Sequence, residues 1–451
     1  MIFRADIKKI ILEYFIISAF ISFLFLWGVK FNQFQLRYFV IILLIPSFIF
    51  FKNDLKNKNY TFLKFFLIFA LILLLHFFFI TYLSDDKFDV ISIVHLLFLI
   101  FIFIIAFFHF EFFNDKILKI ISAFIIIFFI STLISFFNYE KDAPFFCGGL
   151  PDLWNFSNYN FWGDPTKKYY DLKLSYKEFL FSENSHLGML APGLITFLIY
   201  YLINNKLEFL HSLLIYFFFL AAFIKSSTTL LAGMLASLLI FIIFNHRDFN
   251  AKIKFVFCFL IIYLVSILFT DNQCKNRLGL NSSLILNIKN NLSLKKSFEQ
   301  NTNMKEFSEN VSQDFLNYSL SSSVTKYAFF ITKRSIIDKP FGWGFNRYEK
   351  AFEHYKSKFP PITDEIGQFN KQDGTNNFVK IFVEFGFFGL LFYFFIFLFL
   401  INKKISIDLK LFYLPFIFTQ SIRGAGYFNG GFALIFFLML FTYLNTYKKF
   451  R

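Results

Sequence analysis

Apolar runs long enough to cross a bilayer recur along this chain, and they leave few folds open to it. They fill Ile10–Phe137, Leu187–Phe269 and Phe378–Tyr443, separated by two long polar stretches, Asn138–Asn184 and Thr270–Asn377. An α-helix needs about 20 apolar residues to cross the hydrocarbon of a bilayer. Backbone in lipid must satisfy its own hydrogen bonds, so such runs read as helices. The expectation is an all-α, polytopic integral membrane protein of about twelve spans with two long extracytoplasmic loops. The spans fall at 10–27, 38–51, 61–83, 89–108, 117–137, 185–203, 207–224, 227–244, 253–270, 377–401, 408–422 and 427–446. The second and eleventh are short and contain Pro46 and Pro415, which suits kinked or re-entrant elements. One membrane domain results, with N-terminal helices in 1–137, a first loop over 138–184, central helices in 185–270, a large loop over 271–376 and C-terminal helices in 377–451.

Composition agrees with this reading. Hydrophobic residues make up 57% of the chain, above the share in soluble domains, and Phe alone supplies 80 of 451 residues. The net charge of +15 would suit nucleic acid were it concentrated on one surface. Instead the cations sit in short connections between apolar runs, as membrane topology requires, so no nucleic-acid partner is expected. Numbering the connections alternately, one set holds Arg4, Lys8, Lys9, Lys52, Lys56, Lys58, Lys116, Lys119, Lys206, Arg247, Lys252, Lys254, Lys403, Lys404, Lys410, Lys448, Lys449 and Arg451. The short connections of the other set hold Lys30, Arg37, Lys87, Lys225 and Arg423. The richer set faces the cytoplasm by the positive-inside rule, which puts both termini inside and both long stretches outside. Met1–Lys9 is basic, but no small-residue cleavage site follows, so the first run reads as a span. Cys147, Cys258 and Cys274 lack metal-binding spacing. Cys258 reads as packing; Cys147 and Cys274, if both face an oxidising compartment, are a candidate disulfide pair.

Two elements near the end of the large polar stretch are the most specific. Pro340-Phe341-Gly342-Trp343-Gly344 forms a glycine-bearing turn that backbone or ligand can approach closely. Asn376-Asn377 then opens an apolar run that continues through Glu384, Gly386 and Gly389. In this order and placement the pair resembles the O-antigen ligase and polymerase superfamily of bacterial envelope glycosyltransferases, most clearly over about 207–395. That superfamily carries a Pro-x-x-Gly-x-Gly-like turn at the end of a large periplasmic loop, then a His-Asn pair opening a Glu-x-Gly-x-x-Gly span. This chain has one residue fewer between Pro340 and Gly342, Asn376 in place of the His, and Lys326 where the family often has Arg. The missing imidazole moves the expectation from ligase toward polymerase. Lys326 keeps a charge but lacks the planar fork that grips two phosphate oxygens.

The resemblance implies a glycan donor on polyprenyl pyrophosphate, a glycan or lipid A core acceptor, and work at a lipid bilayer of the inner membrane, facing the periplasm. A chain-length regulator is the implied protein partner, and no cofactor or metal is expected. A leaving pyrophosphate gathers negative charge that fixed cations stabilise. The candidates are Lys225, Lys326, Lys333, Arg334 and Arg423, with Arg347 also near the turn. For each loop lysine the competing reading is a solvated surface charge. Pro340, Gly342, Gly344, Asn376 and Asn377 would shape the loop. An acceptor hydroxyl needs a base, and Glu183 and His186, three apart where the first long stretch meets a span, are the candidates. A helix cap built on Ser182 explains the same residues, and the two roles are compatible.

Elsewhere, Val324, Ala328 and Ile331 give Val324–Ile337 a helical stripe that Ser335 interrupts, an amphipathic helix near the membrane surface. His76 and His95, inside spans, read as interhelical hydrogen-bond partners. Glu13 should reach toward the inner interface. His-Glu-x-x-His, Gly-x-x-x-x-Gly-Lys-Ser/Thr and Gly-x-Ser-x-Gly are absent, as is an Asp-x-Asp pair in an outer loop. The alternatives to a polymerase are an O-antigen ligase and a transporter or flippase for a lipid-linked sugar. A transporter would be expected to carry internal repeats and mid-membrane charges.

Overall fold

The computed structural model describes residues 2–25, 30–31, 34–35, 44, 60–83, 90–137, 184–204, 228–244, 249–268, 320–356, 371–424 and 426–446. Over these residues the regular structure is helical, joined by turns, apart from one short antiparallel pairing, β1 (Lys30–Phe31) with β2 (Phe34–Gln35). The helices are α1 (Ile2–Phe25), α2 (Tyr60–Leu83), α3 (Val90–Phe137), α4 (Asn184–Ile203), α5 (Thr228–Phe244) and α6 (Phe249–Leu268). They continue with α7 (Leu320–Asp338), α8 (Tyr348–Lys356), α9 (Asn377–Phe385), α10 (Gly389–Ile401), α11 (Ile407–Ile422) and α12 (Phe432–Asn445). Short 3-10 turns, Gly386–Phe388 and Asn429–Gly431, lead into α10 and α12.

Two of these stretches, Val90–Phe128 and Asn377–Ile401, are long and apolar enough to cross a membrane. Large apolar side chains stand exposed along the outer faces, among them Leu71, Leu75 and Phe79 on α2 and Leu391, Phe394 and Phe397 on α10. Water does not favour apolar surface of that extent, and lipid does. The expected spans 61–83, 185–203, 227–244, 253–270 and 408–422 match α2, α4, α5, α6 and α11 closely. The expected span 207–224 lies outside the described residues, as does 38–51 but for Leu44. Cys147 and Cys274 lie outside them too, and Cys258 is half-buried on α6.

One boundary is corrected. The separate spans 89–108 and 117–137, with a connection at Lys116 and Lys119, are one helical element, α3. The connecting residues His109–Lys116 contain neither Gly nor Pro, so nothing in them forces the helix to stop. Their polar groups are also satisfied in place. Asn114 donates to Thr442 at 2.9 Å and accepts from the Tyr413 hydroxyl at 2.7 Å. Glu13 pairs with Lys116 at 3.1 Å and with Lys119 at 2.8 Å, so it meets α3 rather than reaching outward alone.

A tight trio of α4, α5 and α11 forms part of the core. Gly193 lies against the Phe412 carbonyl and Gly233 against Pro192 and Thr419, so small residues let these helices approach. Pro415 inside α11 has no N–H for the carbonyl of Leu411, four residues back. The Thr196 hydroxyl of α4 donates to that carbonyl at 2.9 Å and fills the gap. The carbonyl that Pro415 leaves free thereby gains a partner from the neighbouring helix.

Helix ends gather at two poles. At one, Asn402 donates to Thr446 at 3.1 Å, Tyr201 to Asp408 at 3.3 Å, and Asn114 meets Thr442 and Tyr413. Lys403 and Lys404 are exposed there. At the other, the loop-end turn, the start of α9 and the α11–α12 turn converge. α4 runs antiparallel to α11, with Met189 opposite Thr419 and Tyr201 opposite Asp408, which brings the start of α4 to this second pole.

Candidate functional site

The end of the large polar stretch builds a small second core. Tyr327, Ala328 and Ile331 of α7 pack with Trp343, with Tyr348, Ala351, Phe352 and Tyr355 of α8, and with Val379 and Val383 of α9. Of the stripe read from the sequence, Ala328 and Ile331 therefore lie on the inward face of α7. Ser335 does not interrupt it. It is fully buried, and the Trp343 indole N–H donates to its hydroxyl at 3.0 Å, so the polar atom is satisfied inside the core. Burial raises the Tyr355 phenol above its ordinary range, and its hydrogen bond to Asp338 at 2.8 Å adds to the effect. Burial likewise holds Tyr348 well above that range, with neighbouring Tyr327, Asp373 and Glu384 contributing.

The two motif elements lock together backbone to backbone. Trp343 N–H donates to the Val383 carbonyl at 2.9 Å, Gly344 N–H to the Glu384 carbonyl at 2.9 Å, and Phe387 N–H to the Pro340 carbonyl at 2.9 Å. Contact this close needs glycine on both sides. Gly342 has φ +87° and a Cβ there would collide with the Glu384 carbonyl; Gly386 has φ +56° and a Cβ there would collide with the Pro340 carbonyl. The same contact breaks the expected span 377–401 into α9, a 3-10 turn and α10.

Glu384 is the hub of the lock and is fully buried. Its carboxylate accepts from Asn346 N–H at 2.9 Å, Tyr348 N–H at 3.2 Å and the Tyr427 hydroxyl at 2.7 Å. Lys380, one helical turn earlier, lies 3.3 Å away and also donates to the Gln372 carbonyl at 2.7 Å. Thus one carboxylate ties the turn, α9 and the α11–α12 turn, and a buried cation balances it. Sequence reasoning passed over Lys380 and Tyr427. A lysine and a glutamate four apart inside an apolar run were a usable signal, because charges there need partners.

Asn376 is the N-cap of α9 and accepts from Val379 N–H at 2.7 Å. Asn377 accepts from Gly426 N–H at 3.1 Å, and Gly424 N–H donates to the Thr375 carbonyl at 3.1 Å. These bonds fix the α11–α12 turn against the start of α9. His76 of α2 bonds the Phe341 carbonyl at 3.0 Å, so its partner is the loop-end turn and not another helix. Arg347, 1% exposed, donates to Thr81 of α2 at 2.8 Å.

The expected cations occupy different surroundings. Lys333 and Arg334 are exposed on the outer face of α7, with Arg334 5.7 Å from the Phe330 ring centre. Arg423 caps the C-terminus of α11, half-buried, beside the turn that Asn377 holds. Lys326 lies on α7 and His186 in the first turn of α4, both described in backbone only. Glu183 and Lys225 lie outside the described residues. Asn184 and Thr228, where α4 and α5 begin, follow them closely in sequence. Of the expected cations with described side chains, Lys333 and Arg334 stand on the outer face of α7 and Arg423 at the end of α11. Among the described residues no group of three His, Cys, Asp or Glu side chains could hold a metal ion. No protein-family model, no curated protein and no solved structure matches this chain.

Proposed function

We propose that this chain is a polytopic glycan polymerase of the bacterial inner membrane. It extends O-antigen or a related surface polysaccharide from repeat units carried on polyprenyl pyrophosphate, at the periplasmic face. The observation that carries the proposal is the lock itself. The two elements that resemble the glycosyltransferase superfamily, forty residues apart at Gly344 and Glu384, meet through three backbone hydrogen bonds around a buried carboxylate.

In the reaction an acceptor sugar hydroxyl attacks the anomeric carbon of the donor. A new C–O bond forms and the bond from that carbon to the phosphate oxygen breaks, with inversion. The electron pair leaves with the pyrophosphate, and the hydroxyl proton passes to a base, for which Glu183 and His186 are the candidates. Lys225, Lys326, Lys333, Arg334 and Arg423 are the cations proposed to hold the leaving group. Asn376 favours polymerase over ligase, because the position where a ligase carries histidine is spent here on capping α9.

Deleting the gene and separating envelope glycans on a gel tests the proposal. Lipopolysaccharide with a single repeat is expected. Bare core with accumulated carrier-linked polymer would instead indicate a ligase, and an unchanged ladder would overturn both.

A further inference from the structure

The outward face of α7 mixes cations with large apolar side chains. Phe329, Lys333 and Ile337 are four residues apart, so they form one strip on the side away from buried Ala328, Ile331 and Ser335. Phe329 and Ile337 are 48% and 63% exposed, and Lys333 stands exposed between them. Arg334, beside the strip, is exposed as well, with its guanidinium 5.7 Å from the Phe330 ring centre. Lys326 lies seven residues before Lys333, at a position on the same side of the helix. Asp338 is the one carboxylate in the α7 sequence, and it already accepts from the Tyr355 hydroxyl at 2.8 Å.

This face borders the apolar surface of α10 at two places. In the turn that follows α7, the half-exposed Phe341 ring lies 6.3 Å from that of Phe388, also half-exposed, in the 3-10 turn that leads into α10. Farther back, Phe329 lies 6.1 Å from Phe378, and Phe378 lies 5.2 Å from Tyr393 of α10. α10 carries the exposed Leu391, Phe394 and Phe397, within a stretch long and apolar enough to cross a membrane. Single exposed apolar residues are ordinary on any surface, but a row of them set among cations and joined to such a helix is not. The headgroup layer of a bilayer takes both kinds of side chain at once. Rings sink toward the acyl chains while lysine and arginine stems reach back to phosphate. A protein partner would have to desolvate Lys333 and Arg334 and supply acids for them. We infer that the outward face of α7 docks on the bilayer surface, and that Lys333 and Arg334 bind the phosphates of anionic phospholipids there. The inference rests on the reading of the chain as a membrane protein, not on glycan polymerisation. The two cations meet phospholipid whether or not a glycan donor is present. The loop-end turn, which follows α7 directly, is thereby tied to the bilayer.

The test places a photoreactive phenylalanine analogue at Phe329 of the full-length protein, with Phe341 as a second position. The protein is reconstituted in vesicles of equal parts phosphatidylcholine and phosphatidylglycerol, free of isoprenoid pyrophosphate, and irradiated; mass spectrometry identifies the lipid attached. Phosphatidylglycerol adducts are expected to exceed phosphatidylcholine adducts about twofold or more, and high salt should erase the excess. In Lys333→Gln/Arg334→Gln, checked for folding by melting, the adducts should return to the vesicle ratio. Adducts at the vesicle ratio in wild type would overturn the proposal, since the contact would then be apolar only. An excess unchanged in the double variant would overturn it too, because these cations would not be its source. So would absence of lipid adducts at both positions while the analogue at Phe394 gives them, which would mean that water or a protein covers the face. Failure of the membrane reading shows separately, as absence of lipid adducts at Phe394 itself.

Discussion

Glu384 is where single-residue chemistry matters most. Its carboxylate collects two backbone N–H groups, a phenol and an ammonium. Glu384→Ala leaves Lys380 buried without its counter-charge, and we expect a loss of about 3–5 kcal/mol. Glu384→Gln keeps an oxygen for one of the two backbone donors, turns an NH2 toward the other and fills the same space, so it should cost less than Ala though it too leaves Lys380 uncompensated; melting in detergent ranks the pair. The glycines of the lock make a second prediction. Gly342→Ala meets both an unfavourable φ of +87° and the Glu384 carbonyl, which is backbone and cannot swing away. Gly426→Ala has a similar φ of +89° but would meet only the Asp373 Cβ, at an ordinary 3.9 Å. Backbone strain alone costs about 1–2 kcal/mol, so melting should fall modestly for Gly426→Ala and much further for Gly342→Ala.

At the scale of elements, α7 shows how a polar residue enters a core. Its inward face holds Ser335 because Trp343 is delivered opposite it by the turn. Trp343→Phe should cost about 1–3 kcal/mol, since it removes the indole donor from the serine hydroxyl as well as losing indole contacts. Ser335→Ala strands the indole N–H in the same way. In the double variant neither partner remains, so its loss should be smaller than the sum of the two single losses, and a double-mutant cycle on melting free energies measures the coupling. Equal and additive losses would show that the hydrogen bond contributes nothing. The outward face of α7, with Lys333 and Arg334 beside Phe329 and Ile337, is amphipathic in the other direction and agrees with a helix near the membrane surface.

For the whole molecule, the two poles turn a sequence argument into a measurable one. By the local cation bias alone, the connection with Lys403, Lys404 and Lys410 is expected inside and the one with only Arg423 outside, and the structure separates them by the length of α11. Gln372 and Lys403 are exposed at opposite poles. A cysteine at Gln372 is expected to react with an impermeant thiol reagent in intact spheroplasts, and one at Lys403 only after the membrane is permeabilised. Reversed labelling would invert the topology and remove the periplasmic face from the proposal.

Hydropathy alone determined most helix positions, because burial of backbone in lipid demands a helix wherever an apolar run is long enough, whatever its neighbours are. The resemblance to envelope glycosyltransferases, and not hydropathy, marked Pro340, Gly342, Gly344, Asn377, Glu384 and Gly386 as special. Tertiary structure alone decided what those residues do. That Pro340 faces Gly386, that Trp343 meets Ser335, that Glu384 reaches Tyr427 and that Thr196 serves the carbonyl freed by Pro415 are contacts between segments far apart in the chain. The continuity of α3 belongs with them, because its polar residues are satisfied by Glu13, Tyr413 and Thr442 from other helices. Local sequence sets where a helix is affordable; partners from distant segments set where it ends and which polar groups it can bury.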